Sequence, residues 1–164
     1  MSQITALKAA IIGVEGPRNG GNAGANLPPG TPLQVGMRLH LDCTPTPDSG
    51  DPADPNLVRK GQGKSPKIVW RWGRIVDGKH VYNSKGGDGQ LFAKQDEPDH
   101  FSLESYERKN ESDTSGAGLT PVLLLEEAFG PGQHQGFAFP CVEAAQNEGL
   151  NVGDESGAVT FPVD

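Results

Sequence analysis

The sequence predicts an all-β fold, a two-sheet antiparallel sandwich with long Gly/Pro-rich loops, and three observations predict it. Short apolar runs alternate with period two, most strictly in "MRLHLDC", Met37 to Cys43. Seven to nine such runs follow one another, separated by turn residues, which is the spacing of a sandwich or barrel. Finally, 23 Gly and 14 Pro make up more than a fifth of the 164 residues, against an average of about 12%. With only 34% apolar residues, this composition implies a modest core and turn-rich connections. A chain of this length removes roughly two thirds of its unfolded surface from water, enough for one core.

"ITALKAAII", Ile4 to Ile12, reads as a short helix or as a first strand. Ala and Leu favour the helix. Gly13, Gly16 and Pro17 stop it before it is stable alone, which favours an edge strand or a tethered arm. Gly16 to Pro32 holds little to bury and many turn formers, as in a linker or surface loop. Residues 1–30 are therefore expected to be an N-terminal arm or edge strand plus flexible linker, and residues 31–164 a single β-sandwich domain.

In the main body, Met37, Leu39, Leu41 and Cys43 point one way while Arg38, His40 and Asp42 point the other, a half-buried strand. Thr44 to Asn56 has Pro at 45, 47, 52 and 55 and is expected to be a loop, because proline cannot continue a central strand. Lys67 to Val76 places Ile68, Trp70 and Trp72 on one face. Asp77 to Lys79 is a hairpin signal that returns the chain as "HVY". "HFSLESYE" sets Phe101 and Leu103 against Ser102 and Glu104. Leu119 to Phe129 fits a buried strand and a short helix behind Pro121 equally well. "FAFPC" puts Phe137, Phe139 and Cys141 on one expected core face, and "AVTFPV" aligns Val159, Phe161 and Val163.

In this order the features resemble bacterial immunoglobulin-like domains over residues 31–164. The resemblance rests on the "xVG" step into the Leu33 to Cys43 alternation, the core tryptophan at Trp70 or Trp72, the late strand Phe137 to Cys141, and the closing "SGAVTFPV", Ser156 to Val163. It implies an immunoglobulin-like sandwich. Two features depart from the family pattern. Cys43 and Trp70 are 27 residues apart, where the tryptophan normally follows the first cysteine closely. Pro140 sits in a strand that the family places centrally, which demands an edge position or a bulge.

Cys43 and Cys141, the only two cysteines, both fall on the apolar phase of their strands. Facing each other across the core, they would form a disulfide closing a loop of about a hundred residues, worth up to about 4.7 kcal/mol. Such a bridge implies an oxidising compartment. The alternative is two separate buried thiols.

A formal charge of −7 gives no general reason to approach a phosphate backbone, so no nucleic-acid partner is expected. No apolar segment reaches the roughly 20 residues needed to cross a bilayer, so no membrane insertion is expected. The start "MSQITALKAAIIGVEG" lacks the basic region, long apolar centre and cleavage site of a secretory signal.

His40, His80, His100 and His134 show no metal-ligand spacing. Asp48, Asp51 and Asp54 in one loop offer hard oxygen ligands that suit calcium, but without the spacing of a helix-loop-helix site, and a solvated acidic loop is the preferred reading, so no metal is assigned. No glycine loop feeds a helix and no "GxSxG" elbow occurs, so no cofactor and no catalytic residues are assigned. Trp70, Trp72 and Tyr82 are the binding candidates: core residues if their face is buried, a platform for sugar rings or a partner protein if it is exposed. Long loops either carry recognition or lie against a neighbour. The expected function is thus a non-enzymatic structural or adhesion module, acting by contact with a protein partner or a further copy. It would sit outside the cell, on a cell surface, or on a phage-like particle as virion decoration. The alternative is a carbohydrate-binding module using a Trp/Tyr platform.

Overall fold

The computed structural model describes residues 4–47, 67–83, 99–105, 121–143 and 155–164. Two antiparallel sheets face each other. Strands β1 (Ile4–Glu15), β2 (Asn26–Leu27), β3 (Arg38–Pro47), β6 (Phe101–Ser105) and β7 (Val122–Leu125) form one, in the order β2-β1-β3-β7-β6. Strands β4 (Lys67–Val76), β5 (Lys79–Tyr82), β8 (His134–Glu143) and β9 (Val159–Val163) form the other, in the order β5-β4-β8-β9. The all-β sandwich is the fold that the alternating runs predict. The open choice at Leu119 to Phe129 resolves to strand, where Leu123 and Leu125 are fully buried.

The main core lies between the sheets. Met37 and the β3 residues Leu39, Leu41 and Cys43 meet Trp70 and Trp72 of β4, Ala138 of β8, and Phe161 and Val163 of β9. Trp70 and Trp72 are therefore interior residues, each contributing roughly 1.5–3 kcal/mol or more of transfer free energy. The hairpin between β4 and β5 turns through Asp77 and Gly78, both at positive φ (51° and 76°), as a two-residue turn matched to strand twist requires.

Three local expectations differ from the structure. First, Thr44 to Pro47 is strand, not loop: Pro45 and Pro47 pair with Leu7 and Ile4 of β1. Strand β7 covers β3 only from Arg38 to His40, so among the described residues β3 has a neighbour on one side alone at its prolines, where a missing N–H is tolerated. Pro140 sits similarly, because β9 pairs with β8 only from His134 to Ala138. Second, of the edge strand and the tethered arm expected at the N-terminus, the structure has a strand, and what differs is that it lies within the sheet, between β2 and β3. Strand β1 pairs with β3 from Ile4 to Glu15 and buries Ala9 and Val14 in the core. The segment after it is tied back by Gly16 N–H donating to Ala25 C=O and by β2 on Val14 and Glu15. Leu33, fully buried, bridges Val163 in parallel fashion: its N–H donates to Pro162 C=O, and Asp164 N–H donates to Leu33 C=O.

Third, the phase of β8 is reversed. Ala138 enters the main core, while Phe137, Phe139 and Cys141 pack with Tyr82 in a second cluster. Registers Gly73 with Phe137 and Tyr82, Arg71 with Phe139, and Ile75 with His80 place this cluster on the outer face of the β5-β4-β8-β9 sheet. That sheet is apolar on both faces.

Candidate functional site

The outer cluster brings aromatic, cationic and titratable side chains together on one sheet face. Phe137 is the centre: His80 meets its edge at 4.5 Å, Tyr82 at 5.2 Å, and Phe139 stacks on it at 6.1 Å. The Arg71 guanidinium lies 4.2 Å over the Tyr82 ring and 5.6 Å from that of Phe139, a cation–π arrangement. Gly73 makes this packing possible. A Cβ there would come within 2.1 Å of Val81 O and 3.0 Å of the Phe137 ring.

A 3-10 turn, Glu155–Gly157, approaches the cluster from the segment leading into β9, and Ala158 packs against the aromatic rings. Tyr82 donates its hydroxyl hydrogen to Glu155 Oε1 at 2.5 Å, and His80 Nδ1 stands 3.3 Å from Glu155 Oε2. Burial, followed by the bond to Glu155, pushes the Tyr82 phenol well above its usual range.

A second polar group ties the first sheet together. Glu15 is 5% exposed and accepts from Arg18 Nε (2.6 Å) and Nη2 (3.2 Å), Gly24 N–H (3.0 Å) and His40 Nε2 (3.0 Å). The bond from Arg18, then those from Gly24 and His40, outweigh desolvation and lower its carboxyl to about 2. Nearby, Arg38 and Glu104 pair through two hydrogen bonds, which holds the Glu104 carboxyl below its usual range.

At one end of the sandwich, Trp72 Nε1–H donates to Asp99 Oδ1 (3.1 Å) and His100 N–H to the buried Asn83 Oδ1 (3.3 Å). His100 Nδ1 lies 3.0 Å from Glu127 O, with its ring edge-on to Phe129 at 4.7 Å. These bonds satisfy buried polar atoms at strand ends. No group of three His, Cys, Asp or Glu able to hold a metal ion occurs among the described residues. The calcium candidates Asp48, Asp51 and Asp54 lie outside the described residues.

The sequence-level binding candidates are not brought together on one surface. Trp70 and Trp72 fill the space between the sheets, and Tyr82 lies on the opposite side of their sheet. The expected disulfide is also corrected: Cys43 and Cys141 are both free thiols. The cause is the reversed phase of β8, which leaves Cys43 in the main core and Cys141 in the outer cluster. Burial, with the charge of Asp42 beside it, pushes the Cys43 thiol up to about 12.

The expectation that Phe137, Phe139 and Cys141 enter the core between the sheets does not reveal the outer cluster, which those three residues build instead. The signal was present: residues 136 to 141, "GFAFPC", contain no polar side chain at either phase, the mark of a strand buried on both faces. No helix among the described residues is long and apolar enough to cross a membrane. No family model, curated protein or solved structure matches the chain.

Proposed function

We propose that the protein is a non-enzymatic structural or adhesion module of the immunoglobulin-like class, working through protein–protein contact at a cell surface or on a phage-like particle. The observation that carries this reading is strand order. Labelling β1, β3, β4, β5, β6, β7, β8 and β9 as A, B, C, C′, D, E, F and G gives sheets A-B-E-D and C′-C-F-G. This order agrees with a constant-type immunoglobulin arrangement carrying one extra edge strand, which supports the reading. The short β2 is additional.

The chemistry of the described residues supports the same reading. Glu15, Glu104, Asp99, His100 and Glu155 each hold a neighbouring strand or loop, as expected of side chains that organise a fold. The carbohydrate alternative loses its support, since the two tryptophan rings are interior.

The test is sedimentation velocity of the intact chain over a roughly hundredfold concentration range, run beside a glycan array and a panel of hydrolase substrates. Concentration-dependent self-association with no glycan signal and no turnover is the expected result. Glycan binding lost on substituting an exposed side chain, or turnover abolished by a single polar substitution, would overturn the reading.

A further inference from the structure

We infer that residues 4–27, strand β1 with the hairpin behind it, are an exchangeable unit: through a hinge at residues 28–32 the unit leaves its own sandwich and takes the same place in a second copy of the chain. Naming a further copy as the partner rests on the proposed reading of a module that works by protein contact.

The unit is held together from within. Strand β2 pairs with β1 and, among the described residues, with no other strand. Gly16 N–H donates to Ala25 C=O at 2.8 Å and Asn22 N–H to Asn19 C=O at 3.2 Å, while Glu15 accepts from Arg18 Nε and Gly24 N–H. Gly24 permits this closeness, because a Cβ there would collide with Gly16 O. To the rest of the fold the unit gives the β1 to β3 ladder, Ala9 and Val14 in the main core with Ile11 and Leu27 packed against it, and the Glu15 contact with His40 Nε2. A second copy offers the same surface. Exchange therefore rebuilds these contacts, and the closed and exchanged forms differ chiefly at the hinge.

The segment "PPGTP", residues 28–32, suits that role. Thr31 N–H donating to Pro28 C=O at 3.0 Å is the one hydrogen bond it makes among the described residues, and Pro28, Pro29 and Gly30 are exposed. That bond closes a turn with Pro29 and Gly30 at its centre. A residue before proline is disfavoured from helical backbone, so Leu27, Pro28 and Thr31, which precede Pro28, Pro29 and Pro32, favour extended backbone in either form. The turn therefore opens at Pro29 and Gly30. Just beyond it Leu33, fully buried, is fixed to the end of β9 through Pro162 C=O and Asp164 N–H. One side of the hinge is thus anchored while the other carries the unit. Opened, five residues reach about 17 Å toward a neighbouring sandwich. With the contacts alike in both forms, the loss of independent motion on association is what exchange must overcome, and concentration sets the balance.

A cross-strand link on the intact chain reads exchange directly. Ala10 and Asp42 are opposed in the β1 to β3 ladder, Ala10 exposed and Asp42 half-buried. Opposed antiparallel residues have Cα atoms about 4.5–5.5 Å apart, within the span of a disulfide. The double variant Ala10→Cys/Asp42→Cys is prepared reduced, in unlabelled and heavy-isotope forms. The two forms are mixed over a roughly hundredfold range of concentration, warmed, oxidised and digested, and the peptides linked between positions 10 and 42 are weighed. A link within one chain joins two light or two heavy halves, whereas an exchanged unit also joins light to heavy. The expected result is a light–heavy share at least about tenfold larger at the highest concentration than at the lowest. Deleting Pro29 and Gly30, which leaves a hinge too short to turn back, should raise that share further. Linked peptides that stay unmixed at every concentration would overturn exchange. Sedimentation that shows dimers beside such unmixed links would overturn exchange while leaving the module reading standing.

Discussion

Cys43 and Cys141 belong to two different apolar clusters, one between the sheets and one on the outer face of the β5-β4-β8-β9 sheet. Both carry free thiols. The intact mass should therefore be unchanged by reduction, and two thiols should become reactive on denaturation under non-reducing conditions. Because the clusters lie on opposite faces, Cys43→Ser and Cys141→Ser should each cost about 1–3 kcal/mol and add within a few tenths in the double variant. Urea melts of the three variants measure this. Strong coupling between the substitutions would place the sulfurs in one cluster.

Two buried glycines make room for aromatic rings, and they should differ in how they can be repaired. A Cβ at Gly136 would lie 2.3 Å from the Phe161 ring, whereas a Cβ at Gly73 would lie 2.1 Å from the backbone oxygen of Val81. Gly136→Ala should cost about 1–3 kcal/mol and be partly relieved by Phe161→Leu, since the obstacle is a side chain. Gly73→Ala should cost more and resist relief by any change at Phe137, since the first obstacle is the β4 to β5 ladder. Denaturant midpoints of the single and double variants decide between the two behaviours.

The acid limb of stability should be set in part by Glu15. Its folded-state carboxyl is lowered to about 2 from an ordinary value of 4.5, chiefly by Arg18. A lowered folded value means that the unfolded chain binds the proton more readily, so the contribution is fully present above about pH 4.5 and is lost as pH falls toward 2. Glu15→Gln should lower stability at pH 7 by about 1–3 kcal/mol and flatten the unfolding free energy between pH 5 and 2. Thermal melts across that range report it. An unaltered slope in the variant would show that other carboxylates set the acid limb.

The parts of this fold that were legible in the sequence are those where one strand face is wet. The Met37 to Cys43 alternation could be read because Arg38, His40 and Asp42 turn away from the main core. At β8 the same reasoning failed, since both faces of "GFAFPC" are apolar and period two carries no phase when neither alternate is polar. Pro45 and Pro47 misled for a different reason: proline reports whether a strand has neighbours on both sides, and that depends on how far β7 runs beside β3. The Glu15 network is invisible to any local pattern. His40 is 25 residues away, Gly24 is nine, and only Arg18 is close in the chain.

Removal of residues 1–30 provides the sharpest test of how the N-terminal segment functions. A tethered arm leaves behind a folded sandwich when it is cut off. Strand β1 instead supplies Ala9 and Val14 to the core, Glu15 to the polar network, and the ladder partner for β3 from Arg38 to Pro47. Its loss would expose the β3 edge along its whole length, an unprotected template for pairing with other chains. The truncated chain should therefore lose cooperative unfolding or aggregate. Deleting Val163 and Asp164 should cost less, because it removes one buried side chain and the N–H that clamps Leu33 but leaves most of β9 on β8. Urea melts and light scattering of both truncations measure the contrast. A soluble, cooperatively folding chain lacking residues 1–30 would show that β1 is dispensable to the sandwich despite its buried side chains.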